Sequence, residues 1–339
     1  MKRKLFAIIL STILTAGVLG GCGEKSDNPD STAKAEKEAE EVTIRLGVMT
    51  NYADQYLAVV GKNKGFFEKN GINLELTEYA AGINTVDAVT TGQADIGFLA
   101  DYAAVNRIGN SQDNTNLRII ANFSTGVDSK LYVNPDKVSS LSDLAGQGVI
   151  TLPGTVWDYW NAKTLDAGNV PAEDRQILNV DSAQDALSVM TSGQGVAFWA
   201  NGTNATKMKE AGMEPLVTME DLGLEVDLYY LSSTYYIENH PDDIKKFLKA
   251  VKETEEWLVE NKEEAAQILE DEINIPKEQS LDNFESIKYS VSLKQHTLDH
   301  FNEVKAWAVE EGRFDKDYNA LDFFDTTVIK ELYPDEVDF

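Results

Sequence analysis

The sequence predicts an α/β protein made of two similar lobes. It contains a similar phrase twice, TTGQADIGFLAD at 90–101 and TSGQGVAFWAN at 191–201. In each phrase a glycine (Gly92 or Gly193) ends a helical run before a short apolar strand, because glycine accepts the left-handed backbone of a helix end. Strands alternate with helices along 42–123, which is typical of a mostly parallel sheet with helices on both faces. Ligands of such sheets bind beyond the strand ends, so two facing units predict a cleft.

The first unit begins with two strands of different pattern. Val42–Met49 is apolar with few breaks, as expected for a buried strand, whereas Ile72–Tyr79 alternates apolar and polar residues. Between them we expect a helical stretch that ends near Lys64 and a turn-bounded connector over 65–71. The other expected elements of this unit are helices over 83–91 and 102–108 and strands over 96–99 and 117–123.

The second unit begins near Leu131 and repeats the alternation. Its expected strands cover 149–152, 176–180, 196–199 and 214–219, and its expected helices cover 155–167, 183–190 and 205–211. A strand over 225–232 then returns to the first unit. From Pro241, a residue that suits the first turn of a helix, the chain becomes mainly helical. The helices expected there cover 241–260, 262–271, 279–289, 294–311 and 326–332.

The first forty residues predict the compartment. A charged start, Met1–Lys4, precedes an apolar run that ends in Leu19-Gly20-Gly21-Cys22. This run is too short for a confident membrane span and resembles a bacterial lipoprotein signal, whose cysteine becomes the lipid-modified N-terminus. We therefore expect a signal peptide over 1–21, lipidation at Cys22 and a polar, disordered tether over 22–41. The body would then be held by acyl chains at the extracytoplasmic face of the cell membrane.

Composition argues against several classes of function. The formal net charge of −27 disfavours binding to nucleic acid. Cys22 is the only cysteine, so no thiol remains for a disulfide within the chain, for catalysis or for a cysteine metal site. The sequence contains no nucleophile elbow and no phosphate-binding loop. We expect no enzymatic activity, no cofactor and no metal.

The ordered phrases along 42–260 carry a family resemblance. They are IRLGVM, KGFFEKNGINLEL, DAVTTGQADIGFL, LRIIANF, VSSLSDLAGQGVITLPGT, DALSVMTSGQGVAFW and ENHPDDIKKFLKAV. The chain resembles the substrate-binding proteins of ABC importers of the nitrate, sulfonate, taurine and thiamine-pyrimidine-precursor type. The resemblance implies a type II periplasmic-binding-protein fold, with two lobes, two crossover strands and a helical C-terminal region. Lobe 1 would comprise 42–127 and 228–339, and lobe 2 would comprise 128–227.

The same resemblance implies a mechanism and partners. A monomer would close around a small solute by hinge rotation near 124–130 and 223–229, then dock on an ABC permease with its ATPase subunits. Two departures weaken an assignment to taurine. Gly195-Val196 stands where an aspartate is usual, and Trp199-Ala200-Asn201 replaces a frequent Trp-Asp-Pro.

Candidate ligand-binding residues come from the loops that follow strands. Small-residue loops that enter helices expose backbone N–H groups, and aromatic rings offer faces for a ligand. If the repeat is real, Trp199-Ala200-Asn201 should face Ala100-Asp101-Tyr102 across the cleft. In lobe 1 the candidates are Asn51, Tyr52, Tyr56, Gly82, Asn84, Ala100, Asp101, Tyr102, Ser124 and Thr125. In lobe 2 and the return crossover they are Gly154, Thr155, Trp157, Trp160, Trp199, Asn201, Glu225 and Asp227.

The residue types in these loops bear on the ligand. The loops contain no lysine or arginine, but they offer aromatic rings and carboxylates, which suit a stacked heterocycle or a cationic nitrogen. An aromatic or amine-bearing solute is therefore slightly favoured, with a sulfonate close behind because of the resemblance. Two alternatives stay open: a receptor that feeds a sensor kinase, and a pyrimidine-precursor synthase of the same fold. His296 and His300 share a helical face with Glu303, and we expect that face to be solvated rather than to hold zinc.

Overall fold

A computed structural model describes residues 41–112 and 115–339. The predicted signal peptide, Cys22 and all of the predicted tether except Glu41 lie outside the described residues. The described strands are β1 (Val42–Met49), β2 (Ile72–Tyr79), β3 (Ile96–Ala100), β4 (Leu117–Gly126), β5 (Lys130–Val133), β6 (Gly148–Thr151), β7 (Gln176–Asn179), β8 (Ala197–Ala200), β9 (Glu214–Thr218), β10 (Val226–Ser233) and β11 (Ile287–Ser292). The described helices are α1 (Ala53–Asn63), α2 (Phe66–Lys69), α3 (Gly82–Thr90), α4 (Asp101–Ser111), α5 (Val156–Ala167), α6 (Ala183–Thr191), α7 (Gly202–Glu210), α8 (Thr234–Asn239), α9 (Pro241–Glu260), α10 (Lys262–Ile273), α11 (Lys277–Ser286), α12 (Gln295–Glu310) and α13 (Thr327–Leu332).

A six-stranded sheet, ordered β11-β4-β10-β3-β1-β2, carries the first unit. β1 pairs in parallel with β2 and β3, whereas β10 is antiparallel to β3 and β4, and β11 is antiparallel to β4. The four strands expected along 42–123 run in one direction, whereas β10 and β11 run opposite to them, so the sheet as a whole is mixed.

A five-stranded sheet, ordered β7-β6-β8-β5-β9, carries the second unit. β6 is parallel to β7 and β8, and β5 is antiparallel to β8 and β9. The sequence analysis did not predict β5, a four-residue strand at the point where the chain enters this sheet. On one face of the sheet a separate apolar cluster forms around Tyr132, Ile150 and Phe198.

The chain passes between the sheets twice, and the two passages lie side by side. Val226 pairs with Gly126 and Asp227 pairs with Thr125, so β10 returns beside the end of β4. Lys130, the first residue of β5, pairs with Ala200 at the end of β8 and with Thr218 at the end of β9. The chain therefore enters and leaves the second sheet at the edge where β8 ends. The strand ends of both sheets therefore flank the crossovers. We propose that lobe 1 comprises residues 42–127 and 228–339 and that lobe 2 comprises residues 128–227.

The two copies of the repeated sequence adopt the same local structure. α3 and α6 both end before a glycine with a left-handed backbone, Gly92 with φ of 73° and Gly193 with φ of 72°. Gly92 N donates to the carbonyl of Val89, and Gly193 N donates to that of Met190, three residues back in both cases. β3 and α4 follow the first glycine, and β8 and α7 follow the second. The two phrases therefore build the same helix–turn–strand–helix unit once in each lobe.

The C-terminal part packs helices against lobe 1. α9 begins at Pro241 and buries one helical face, formed by Ile244, Phe247, Leu248 and Val251. α9 packs against α1 and α2 of lobe 1. The helix predicted over 279–289 is wrong at its end, because α11 stops at Ser286 and β11 pairs with β4 instead. Among the described residues, no helix has both the length and the apolar character that a bilayer crossing requires.

Candidate functional site

Five helices begin where strands end beside the crossovers. α1, α3 and α4 follow β1, β2 and β3 in lobe 1, and α5 and α7 follow β6 and β8 in lobe 2. The side chains of their N-cap residues accept no hydrogen bond from the first N–H groups of the helix; these residues are Tyr52, Ala81, Ala100, Thr155 and Asn201. By contrast α8, at the opposite edge of lobe 1, is capped by Ser233, whose hydroxyl accepts from Tyr236 N. The helix ends beside the crossovers thus have backbone donors available for a ligand.

Carboxylates occupy the first turn of three of these helices. Asp54 in α1 accepts from Met49 N at 2.8 Å, and Asp158 in α5 accepts from Gly154 N at 2.8 Å. Asp101 in α4 accepts from Tyr102 N. Their negative charge already compensates the positive helix ends, whereas α3 and α7 have no acidic residue in the first turn. An anionic group of a ligand would therefore find α3 and α7 more favourable than the other three.

The two lobes are in direct contact on both sides of these loops. On one side, Gln279 Nε2 of α11 in lobe 1 donates to Thr203 Oγ1 of α7 in lobe 2 at 3.3 Å. Beside it, Asn201 Nδ2 donates to Asp128 Oδ2 of the first crossover at 2.6 Å. On the other side, the Tyr159 ring of α5 packs against Trp307 of α12, with 5.1 Å between ring centroids. The space beside the crossovers is thus bordered by both lobes.

A buried imidazole lies next to the candidate residues Asp101, Glu225 and Asp227. His300 Nε2 is 2.8 Å from Asp101 Oδ2, and His300 Nδ1 is 3.7 Å from Glu225 Oε1. Burial by itself would lower the pKa of His300, but the hydrogen bond and charge of Asp101, with the charges of Asp227 and Glu225, raise it to about 9. Asp227 N also donates to Asp101 Oδ2 at 3.3 Å. This cluster ties α4, the return crossover and α12 together.

The expectation that His300 belongs to a solvated face is wrong. Its side chain is only 8 % exposed, while that of His296, one turn earlier on α12, is 70 % exposed. His296 Nε2 contacts Glu225 Oε1 at 2.8 Å. Helical spacing placed the two histidines on one face of α12. It did not show that α4 and β10 cover His300 and leave His296 exposed.

The structure brings most of the predicted residues to the edge beside the crossovers, in three degrees of burial. Asn51 and Asn84 are exposed. The half-buried members are Tyr52, Gly82, Ala100, Thr125, Gly154, Thr155, Trp157, Asn201 and Glu225. The buried members are Tyr56, Asp101, Tyr102, Ser124, Trp160, Trp199 and Asp227. The assignment of these residues to ligand binding stays a prediction.

Two tryptophans lie in the interior of lobe 2, and the expectation that they face the cleft is wrong. Trp199 is fully buried, and its ring packs against Trp160 with 5.8 Å between centroids. Its Nε1 donates to Thr164 Oγ1 at 3.2 Å, so the polar edge of the indole is also satisfied inside the lobe. Trp199 therefore does not face Tyr102, whose ring packs instead against Trp307 of α12.

Several residues near the crossovers were missed by sequence reasoning. Asp128 is the second residue after β4 and accepts the hydrogen bond from Asn201 described above. Tyr289 lies opposite Ser124 because β11 pairs with β4. Asn283 Nδ2 of α11 donates to Tyr56 Oη at 3.4 Å. Only Asp128 had a sequence signal, its position in the predicted crossover. Asn283 and Tyr289 had none, because α11 and β11 reach the crossovers from the C-terminal part of the chain.

A separate cavity of about 420 Å³ lies at the opposite edge of the six-stranded sheet. It is lined by the starts of β1 and β3 and by α8, and includes Arg45, Asp95 and Tyr236. The Arg45 guanidinium donates to both Asp95 carboxylate oxygens and to Gly92 O, so its charge is satisfied within the protein. This cavity is not part of the candidate site.

Known proteins share both the sequence pattern and this architecture. The family model described as NMT1/THI5 like matches residues 53–265, which is more than half of the chain. The chain belongs to the NMT1/THI5-like family. A Bacillus subtilis (strain 168) protein whose name assigns it to aliphatic sulfonate binding is 26% identical over 98% of this chain and 97% of its own.

Solved structures show the fold of this NMT1/THI5-like protein. The alkanesulfonate-binding protein SsuA from Xanthomonas axonopodis pv. citri, bound to MOPS, superposes with a TM-score of 0.72 at 14% identity, over 85% of this chain and 100% of that one. The desulfurization enzyme DSZB superposes with a TM-score of 0.65 at 12% identity, over 85% and 98% of the two chains. The predicted periplasmic-binding-protein fold and family are thus confirmed. DSZB also shows that the fold by itself does not distinguish a binding protein from an enzyme.

Proposed function

We propose that this chain is the extracytoplasmic substrate-binding component of an ABC importer. It captures a small nitrogen- or sulfur-containing organic solute between its lobes and delivers it to the permease and its ATPase subunits. The observation that carries the proposal is the set of five uncapped helix starts that both lobes direct to the crossovers. A solute that contacts both lobes favours the closed form by its differential affinity, with the crossovers as hinges.

The residues beside the crossovers favour one class of solute within this function. Asp158 places a carboxylate at the start of α5, and the rings of Tyr52 and Trp157 lie half-buried at the same edge. The charge of Asp101 is compensated by His300, and burial raises the pKa of Asp54 to about 7. An aromatic or amine-bearing solute is therefore favoured over a sulfonate, although the name of the Bacillus subtilis relative supports the latter. A lipid anchor at Cys22 would keep the protein near the permease.

Binding rather than catalysis is supported by the residues at the site. The single cysteine of the chain, Cys22, precedes the whole described fold. Among the described residues, no group of three or more histidine and acidic side chains is arranged to hold a metal ion. The acid–base pair of Asp101 and His300 is buried and joins α4 to α12.

A thermal-unfolding screen tests the function directly. The purified protein would be mixed with taurine, alkanesulfonates, nitrate, aminopyrimidines, aromatic acids and small amines. A solute at about 100 times its Kd stabilises the folded state by ~2.7 kcal/mol, which raises the unfolding midpoint by several degrees. Cells that lack this chain should then lose high-affinity uptake of that solute. Uptake that is unchanged in such cells would contradict the importer role.

A further inference from the structure

Asp128 lies in the first crossover, where lobe 1 passes into lobe 2, and has only neutral hydrogen-bond partners. It is the second residue after β4, and its side chain is half-buried. Its Oδ2 accepts from Asn201 Nδ2 of α7 at 2.6 Å, and its Oδ1 accepts from Ser129 Oγ at 3.1 Å. A carboxylate in this position keeps most of its negative charge uncompensated, which is costly in a partly desolvated place.

Burial raises the pKa values of three tyrosines that lie close enough to this carboxylate for its charge to raise them further, and one of the three is paired with Ser124. We call the group Asp128, Tyr52, Tyr56, Tyr289 and Ser124 the tyrosine–aspartate subsite. Tyr52 and Tyr56 come from the start of α1, and Tyr289 of β11 lies opposite Ser124 of β4. Tyr289 Oη and Ser124 Oγ are buried and have no hydrogen-bond partner among the described residues. Buried polar groups without partners cost free energy, so a ligand atom that contacts them would stabilise the complex.

The electrostatics of the subsite indicate that it lacks a positive charge. Burial raises the pKa of Asp128. Burial and then the charge of Asp128 raise the pKa of Tyr52 well above its usual value. The pKa of Tyr289 is also raised, by burial and then by Tyr56, Asp128 and Asp54. Every ionisable group here is thus disfavoured in its negative form, and a positive charge would relieve all of them.

We propose that the tyrosine–aspartate subsite binds the protonated or quaternary amine of the solute, with Asp128 as its ionic partner and, where the amine carries N–H groups, the phenol oxygens as further acceptors. This inference rests on the proposed function and narrows its substrate to cations. The remainder of the solute extends toward α3 and α7, whose helix starts carry no carboxylate.

Probe pairs that match in shape but differ in charge test the subsite. Choline and benzylamine would be compared by calorimetry with their uncharged counterparts, 3,3-dimethyl-1-butanol and benzyl alcohol, and with ethanesulfonate. We expect at least one amine to bind at least tenfold more tightly than its uncharged counterpart. The variant Asp128→Asn keeps an acceptor for Asn201 but removes the charge, and should weaken amine binding about 10- to 100-fold. Asp136→Asn, at an exposed acid of lobe 2, is the matched control and should leave affinity unchanged.

The outcomes separate this inference from the function on which it rests. Ethanesulfonate binding that Asp128→Asn leaves unchanged, with no amine bound, would overturn the amine subsite and leave the importer role standing. Absence of binding by every solute of the wider screen would overturn both. Circular dichroism of Asp128→Asn checks its fold, and Asp128→Glu, which restores the charge, should recover part of the affinity if the charge is what matters.

The pH dependence of choline binding gives an independent readout, since choline keeps its charge at every pH. The groups that face Asp128 are Tyr52 and Tyr56 on α1 and Tyr289 on β11, and Asp54 lies nearby on α1. Burial raises the pKa of Asp54 to about 7, and it raises that of Asp128 as well. Choline affinity should therefore fall as the pH is lowered from 8 to 5.5, because Asp54 takes up a proton in this range. The raised pKa of Asp128 acts in the same direction. An affinity that rises on acidification would contradict a cation at this subsite.

Discussion

Replacement of His300 by leucine is expected to lower the free energy of unfolding by about 3 kcal/mol at pH 6, since loss of one partner leaves a buried charge uncompensated. Asp101 is fully buried, and His300 is its cationic partner at 2.8 Å. The same carboxylate also accepts from Asp227 N, so its displacement would disturb the return crossover. Urea-induced unfolding, followed by circular dichroism, measures the effect.

The pH dependence identifies the ionic origin of this loss. The folded-state pKa of His300 is raised to about 9, above its ordinary value of 6.5. A group with a raised pKa contributes its full stabilisation below pH 6.5 and loses it as the pH rises through 9. The difference between the parent and His300→Leu should therefore shrink between pH 6 and pH 9.5. An equal difference at both pH values would mean that packing, not charge, is lost.

Two variants control this experiment. His296→Gln removes the exposed histidine of the same helix face and should change stability by less than about 0.5 kcal/mol, as is usual for surface substitutions. Asp101→Asn combined with His300→Leu removes both charges, and should be more stable than His300→Leu alone. If the double variant is the less stable of the two, Asp101 is not the group that His300 compensates.

Local sequence patterns were sufficient for the elements whose partners are close in sequence. β1 and β2 have the predicted bounds, because a buried strand is continuously apolar and a half-buried strand alternates. The repeat at Gly92 and Gly193 predicted the helix ends for a local reason, the left-handed backbone at each glycine. These features depend on neighbours within a few residues, so a single sequence carries them.

Distant partners account for what the sequence did not predict. β11 pairs with β4, more than 150 residues earlier. Its sequence IKYSVS alternates apolar and polar residues as a half-buried strand does, but the helix expected up to 289 overlapped it, and the alternation does not indicate its pairing partner. Tyr289 therefore could not be placed at the crossovers. The pairing of His300 with Asp101 likewise joins α12 to α4 across the fold. In both cases the missing information is which element covers a given face.

The face of β8 illustrates the same limit within one strand. Phe198 and Trp199 are adjacent, both are apolar, and both are fully buried, but they point to opposite faces of the sheet. Phe198 belongs to the apolar cluster of lobe 2 that contains Tyr132, while Trp199 packs on Trp160. Because lobe 2 is covered on both faces, neither hydrophobicity nor alternation showed which side a large ring would occupy.

Replacement of Trp199 by alanine is the second large effect we expect, a loss of about 4 kcal/mol in the free energy of unfolding, as is typical when a buried aromatic ring is removed from a core. The ring is fully buried against Trp160, and its removal also leaves Thr164 Oγ1 without its indole donor. The unfolding midpoint in urea measures the loss. Tyr235→Ala, which truncates a ring that is 68 % exposed on α8, is the control and should be close to the parent.

The effect of Trp199→Ala on ligand affinity distinguishes a core residue from a wall of the cleft. As a core residue, Trp199 influences the ligand only through the stability of lobe 2. The affinity of the folded fraction, measured by calorimetry well below the unfolding midpoint, should then stay within about threefold of the parent, or ~0.7 kcal/mol. A variant as stable as the parent that has lost ligand binding would instead place the indole at the cleft, as the repeat in the sequence suggests. Stability and affinity therefore have to be measured on the same preparation, because only their combination distinguishes the two positions of the ring.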